Sequence, residues 1–265
     1  MIKLIASDID DTLLPYATPY ISEEIADLIR ELKRRNVRFV VTTGRELGGV
    51  LETFFPVKDD IIVVSDNGAK VSVPGRETTL WFLDPADYKE LLSDYRSKRE
   101  YGRREFIVST AEREVLIEDP SQEFLNVVEG MKLPYHIVDR IPEEGLSVLK
   151  ISIWDREGVD ELSEELIPKW KKRVNICKGG RNWLPSMHIR ADKGLAVRDL
   201  MEYYGIKKDE VMVFGDSGND VGMFEVAGRS FAVEDAEPFV LSRAKEICPS
   251  SAKNGVYHTI VKEVL

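Results

Sequence analysis

Apolar runs of strand length alternate with helical segments at both ends of this 265-residue chain, and the alternation lapses in between. Ile2 to Ser7 reads as a strand. A helix from about Ser22 to Asn36 follows, in which Ile25, Leu28, Ile29 and Leu32 share one face and Ser22 serves as N-cap. Val37 to Thr42 and Ile61 to Ser65 read as further strands, with a helix near Glu46 to Phe55 between them. From Lys193 the pattern resumes with a helix to Tyr204, a strand from Val211 to Phe214 and shorter units through Leu265. Strands alternating with helices predict a parallel sheet, here assembled from both chain ends.

The middle has a different grammar. After Asp66-Asn67-Gly68, short β-like runs are separated by Pro74-Gly75, and a polar helix is expected from Ala86 to Arg99. Leu149, Ile151 and Ile153 alternate with polar neighbours, so Val148 to Trp154 is a strand, as is Val174 to Lys178, with a helix from Gly158 to Lys172 between them. The expected class is α/β: a Rossmann-like parallel-sheet core from residues 1–82 and 187–265, interrupted by an inserted α+β domain at 83–186.

Bulk properties exclude several function classes. Apolar residues make up 43% and charged residues 32%, an ordinary balance for a globular protein with no disordered tract. No apolar stretch reaches the roughly 20 residues needed to span a bilayer. The start, Met1-Ile2-Lys3-Leu4-Ile5, lacks signal-peptide character, so a cytoplasmic location is expected. Cys177 and Cys248 are too few for a disulfide framework and read as reduced thiols. A net charge of -10 opposes nucleic-acid binding, which rewards clustered Lys and Arg. The sequence leaves the oligomeric state open.

Chemistry concentrates just after the strands. Asp8, Asp10 and Asp11 follow the first strand, where an open parallel sheet places its ligands, and a spacing of two sets Asp8 and Asp10 on one side if the strand continues. Alone, this acidic cluster is also what a solvated turn looks like. Thr43-Gly44-Arg45 follows the second strand, offering a hydroxyl and an unencumbered backbone N–H to phosphate oxygens. Gly215-Asp216-Ser217-Gly218-Asn219-Asp220 brings more carboxylates to the same edge. Lys193 stands at a helix start, where the helix dipole disfavours a cation, so an anionic ligand would explain it.

In that order, Asp8-Ile9-Asp10-Asp11-Thr12, Thr43, Lys193 and Gly215 to Asp220 resemble the four motifs of the haloacid dehalogenase superfamily. The large insert, with Asp66-Asn67-Gly68-Ala69 and Asp192-Lys193-Gly194, is similar to the Cof-type branch, whose inserted α+β domain is a IIB-type cap. The family often has glycine where this chain has Asp11, a departure expected to alter the loop or add a carboxylate on the metal side.

The resemblance implies a Mg2+-dependent phosphomonoester hydrolase acting on a small phosphorylated metabolite, with sugar phosphates the leading class. It implies Asp8 as nucleophile in an aspartyl-phosphate mechanism, Asp10 as acid and base, and Lys193 with Mg2+ neutralising the phosphate. Metal ligands would be Asp8, the Asp10 carbonyl and Asp216, with Asp220 orienting metal-bound water or Lys193. Ile9 and Gly44 N–H groups, the Thr43 hydroxyl and Asn219 would complete the phosphate contacts. A phosphomutase shares the same intermediate, and a silent phospholigand sensor shares the fold, although intact Asp8, Asp10, Lys193 and Asp216 argue against the latter. His136, His188 and His258 read as structural, the four tryptophans as packing residues, and Lys178, Arg181 and Arg190 as candidates for a second anionic group.

Overall fold

The computed structural model describes residues 1–16, 18–111, 115–130 and 134–265. The chain divides into two compact units, Met1–Thr79 with Asp192–Leu265, and Leu80–Ala191. Strands of the first half are β1 (Leu4–Asp8), β2 (Arg38–Thr42), β3 (Ile61–Ser65), β4 (Lys70–Ser72), β5 (Thr79–Leu80), β6 (Arg104–Thr110) and β7 (Val115–Glu118). Those of the second half are β8 (Tyr135–Val138), β9 (Val148–Asp155), β10 (Val174–Ile176), β11 (Trp183–His188), β12 (Val211–Gly215), β13 (Arg229–Val233) and β14 (Glu246–Cys248).

One sheet runs β14-β13-β12-β1-β2-β3-β4-β5, parallel from β14 through β3, with β4 antiparallel to β3. Its central strands are continuous apolar runs because both faces are covered, and all five residues of β1 are buried. The helix Glu23–Arg34 covers part of one face with Ile25, Leu28, Ile29 and Leu32. Its Ser22 hydroxyl accepts from Ile25 N–H, and acidic residues in the first turn with basic ones in the last match its dipole. The strand order reverses about β1, with β2 and β3 on one side and β12 on the other. The crevice at the carboxyl ends of β1 and β12 is therefore a topological switch point, where open α/β sheets bind ligands.

The second unit has its own sheet, β10-β11-β9-β6-β7-β8, antiparallel except for the β7–β8 pair. Alternation along β6 feeds two cores. Phe106 and Val108 pack with helices Pro85–Lys98 and Asp160–Trp170, whereas Ile107 packs with Phe124 and Val128 of the helix Gln122–Gly130. No helix among the described residues is long and apolar enough to cross a membrane.

The structure corrects three details. β1 ends at Asp8 and the chain turns at once, so no strand pleat relates Asp8 to Asp10. The helix expected from Glu46 to Phe55 is confined to Leu47–Thr53, capped by the Glu46 carboxylate, and passes into a 3₁₀ turn at Phe55-Pro56-Val57. The unit boundaries lie outside 83 and 186 because Met187 and His188 still pair in the second sheet, and Trp81 stacks on His188.

Candidate active site

The switch point gathers the expected acidic residues. Ser7 pairs with Phe214, so the chain leaves β1 at Asp8 beside Gly215 and Asp216 leaving β12, while Asp8 pairs with Thr42 on its other side. The helix Lys193–Tyr204 starts behind an Asp192 cap that accepts from Leu195 N–H at 2.8 Å. Its first residue, Lys193, is 1% exposed. The ammonium donates to Asp8 Oδ1 at 2.6 Å and to Asp220 Oδ1 at 2.8 Å. The cation that helix propensity disfavours at this position is thus held by two carboxylates.

Asp220 is fully buried, and its second oxygen accepts from the N–H groups of Asp216 and Ser217 at 3.0 and 3.1 Å. This wrap requires glycine at 215, since a Cβ there would stand 2.4 Å from Asp220 Cβ. Asp216 is fixed by two hydroxyls, Thr12 Oγ1 donating to Oδ1 at 2.6 Å and Ser217 Oγ to Oδ2 at 2.7 Å. Carboxylate oxygens of Asp8, Asp216 and Asp220 lie within 4.8 Å of one another.

Burial pushes Asp8 well above the usual carboxylate range. Lys193 opposes that rise, and Asp220 and Asp216 add to it. Asp216 is pushed up to about 6, first by burial and then by Asp220, against the pull of the Thr12 and Ser217 hydroxyls. Burial alone would discharge Lys193, but Asp220 and Asp8 outweigh it and hold the ammonium charged. One ammonium facing three carboxylates leaves the pocket with excess negative charge. An all-oxygen donor set of this kind suits a hard divalent cation, which would reverse those upward shifts. Asp220 engages both oxygens through Lys193 and two N–H groups, Asp216 engages both through the Thr12 and Ser217 hydroxyls, and Asp8 engages Oδ1 through Lys193.

The other expected residues ring this centre. Thr43 is buried at the end of β2, and its Oγ1 accepts from Arg45 N–H at 3.1 Å, which leaves its own hydrogen for a ligand. A Cβ at Gly44 would lie 3.3 Å from Asn67 Oδ1, and Asn219 Nδ2 donates to that same oxygen at 3.0 Å. Asn219 Oδ1 is buried without a hydrogen-bond partner. Ile9 lies buried in the turn, its carbonyl accepting from Leu14 N–H at 2.8 Å.

Asp11 resolves its own question. It takes a left-handed φ of 59°, which suits glycine but which Asp tolerates, and its carboxylate accepts from Tyr16 N–H at 3.0 Å. It shapes the loop and stands outside the acidic cluster. Asp10 lies beyond the strand end, in a two-armed ion pair with Arg45. In the second unit, Lys178 pairs with Asp160 at 2.5 Å, and the Arg190 guanidinium lies 4.8 Å from the Trp81 ring centre. Cys177 and Cys248 are free thiols.

Sequence reasoning assigned no role to Thr12, Arg45, Asn67 or Ser217. All four stand inside or beside the quoted motifs, but each acts by holding another side chain, and only the folded register reveals those partners.

The sequence profile of the haloacid dehalogenase-like hydrolase family matches residues 5–260. The chain is 28% identical over 269 residues to the 5-amino-6-(5-phospho-D-ribitylamino)uracil phosphatase YbjI of Escherichia coli, covering 98% of this chain and 96% of that protein. The crystal structure of TM0651 from Thermotoga maritima matches with a TM-score of 0.79 at 25% identity, covering 100% and 98% of the two chains. The subclass IIB sugar phosphatase BT4131 shares the fold, with a TM-score of 0.80 at 18% identity and 98% of each chain covered. With this profile spanning nearly its whole length and phosphatases among its full-length relatives, the chain belongs to the haloacid dehalogenase-like hydrolase family and is a phosphatase of α/β fold.

Proposed function

We propose that this phosphatase hydrolyses the monoester of a small phosphorylated metabolite, a sugar or sugar-alcohol phosphate, through a phosphoryl group carried on Asp8. The observation that carries the reading is the Lys193 bridge. It fixes Asp8 Oδ1 at 2.6 Å and leaves Oδ2 as the attacking oxygen in a buried site. Asp8 and Asp216, with the Asp10 main-chain carbonyl, are the residues that would hold Mg2+. When bound, the ion would supply charge neutralisation for the phosphate dianion.

In the first half-reaction Asp8 forms its bond to phosphorus as the bond from phosphorus to the sugar oxygen breaks, and Asp10 gives that oxygen a proton. In the second, water attacks the same phosphorus, Asp10 takes the proton, and the bond to Asp8 breaks, restoring both carboxyl groups. Lys193 neutralises charge throughout. The Thr43 hydroxyl, the Ile9 and Gly44 N–H groups and the Asn219 amide donate to the phosphoryl oxygens, where their effect is greatest in the transition state.

The substrate class draws on the relatives. One acts on a compound bearing phosphate on a ribityl chain, and another is named a sugar phosphatase. Esters of that kind have poor alkoxide leaving groups, which is where a proton donor such as Asp10 matters most. The net charge of -10 disfavours nucleic-acid substrates, and a cytoplasmic location belongs to the same reading.

The test is phosphate release from a panel of sugar phosphates, sugar-alcohol phosphates, nucleotides and a phosphodiester, with Mg2+ and with EDTA. The reading predicts Mg2+-dependent release favouring the sugar and polyol monoesters. Release indifferent to EDTA, or faster from the diester, would contradict it.

A further inference from the structure

Arg45 ends the Thr43-Gly44-Arg45 run after β2, and Asp10 follows the end of β1. The register that pairs Asp8 with Thr42 sets these two turns side by side. Arg45 Nε donates to Asp10 Oδ2 at 2.8 Å and Nη2 to Asp10 Oδ1 at 2.5 Å. The third arm, Nη1, donates to Thr53 Oγ1 at 3.3 Å, and the Thr53 hydroxyl donates to Gly49 O at 2.9 Å. The guanidinium is therefore anchored on the helix Leu47–Thr53 and presents its fork to the carboxylate. The two side chains are only 24% and 27% exposed.

A planar guanidinium donating to both oxygens binds a carboxylate with no proton on either. That is the form Asp10 needs as a base, and its orientation is set by two parallel bonds instead of one. To act as an acid, Asp10 must free one oxygen for a proton and turn it to the leaving group, so one arm of the fork has to give way. Lysine would do this work only in part, because a single ammonium supplies the charge but cannot match both oxygens in a plane.

We infer that Arg45 is a positioning residue for Asp10: it holds the carboxylate in one rotamer at the end of β1 and releases one oxygen to the proton and the leaving group when substrate enters. The proposal rests on the hydrolase reading above, and it adds to Thr43 and Gly44 a function for the third residue of their run.

The test compares kcat/KM, which covers only events through the first half-reaction, for an alkyl and an aryl ester: the preferred sugar phosphate of the panel and 4-nitrophenyl phosphate. The aryl oxide leaves without a proton. Wild type, Arg45→Met, Arg45→Lys, Asp10→Asn and the Arg45→Met/Asp10→Asn double variant are measured with Mg2+. Arg45→Met is expected to lower the alkyl-to-aryl ratio by about tenfold or more, a share of the 10²–10⁴-fold that positioned proton transfer contributes. Arg45→Lys recovers part of the ratio, and Arg45→Met takes nothing further from Asp10→Asn on the alkyl ester, as expected of residues acting as one unit. Partial misfolding lowers both esters alike, so it cannot mimic a changed ratio. Equal losses on both esters, or losses that multiply in the double variant, would overturn the proposal while the hydrolase reading stands. No turnover of either ester by wild type would overturn that reading, and the proposal with it.

Discussion

At the residue scale, the site works by over-determining a few carboxylates. Replacing Lys193 by Met removes the only cation bonded to Asp8 among the described residues and leaves Asp8 and Asp220 buried without it. Breaking a buried pair this way costs about 3–5 kcal/mol. The variant should therefore lose turnover and unfold at lower urea concentration. Asp216 gives a pH signature. Its folded-state value is raised to about 6, above the unfolded value near 3.9, so the folded protein binds more protons between the two and stability falls as pH rises through that window. If Asp216 holds Mg2+ as proposed, the ion competes with those protons, and its stabilising effect on the melting temperature should grow as pH rises through 6. Asp8, Lys193 and Asp216 were legible in the sequence because their chemistry is odd for their position: acids clustered after a strand, a cation at a helix start. Thr12, Ser217 and Arg45 are ordinary residues locally, and their roles depend on partners brought close by strand register.

At the scale of elements, close backbone approaches hold the motifs in place. A Cβ at Gly194 would lie 2.3 Å from the Gly222 carbonyl carbon, so the helix Lys193–Tyr204 can approach the helix Val221–Val226 only with glycine there. Gly194→Ala should destabilise by about 1–3 kcal/mol through overpacking and shift Lys193 from its carboxylates. Urea unfolding together with kcat checks both effects. By contrast, Ser22→Ala, at the cap of the helix Glu23–Arg34 and outside these motifs, should cost about 0.5–2 kcal/mol through its lost cap and leave kcat unchanged. The parallel strands and the helices Glu23–Arg34 and Lys193–Tyr204 were readable because one face of each helix, or the whole of each strand, is apolar. Strand ends were less readable. A strand stops where its partner stops, and local sequence does not say that β1 ends at Asp8.

At the scale of the molecule, each unit has a core of its own. In the second unit, Arg96 donates to Glu118 at 2.6 Å and Ile141 N–H to the same oxygen at 2.9 Å. Burial acts to raise Glu118, but these bonds outweigh it and hold it below the usual range. The stability they contribute is present above the unfolded value near 4.3 and lost as pH falls through the lower folded value. Glu118→Gln should therefore lower the melting of the second unit at neutral pH, with the difference from wild type vanishing in acid. Mg2+, if held as proposed, should raise the transition of the first unit by mass action. The division into core and insert was visible where strand and helix alternation lapsed. The second sheet was harder to trace, because packing on both faces blurs the period-two pattern that marks a half-exposed strand.

The central claim is that Asp8 carries the phosphoryl group. Turnover of the preferred sugar phosphate with Mg2+, stopped by rapid acid quench and read by intact-protein and peptide mass spectrometry, tests it directly in wild type and Asp8→Asn. The account predicts one phosphoryl group on the peptide containing Asp8 in wild type, with neither that label nor phosphate release in Asp8→Asn. Phosphate release that persists in Asp8→Asn, or a phosphoryl group on another residue, would contradict it.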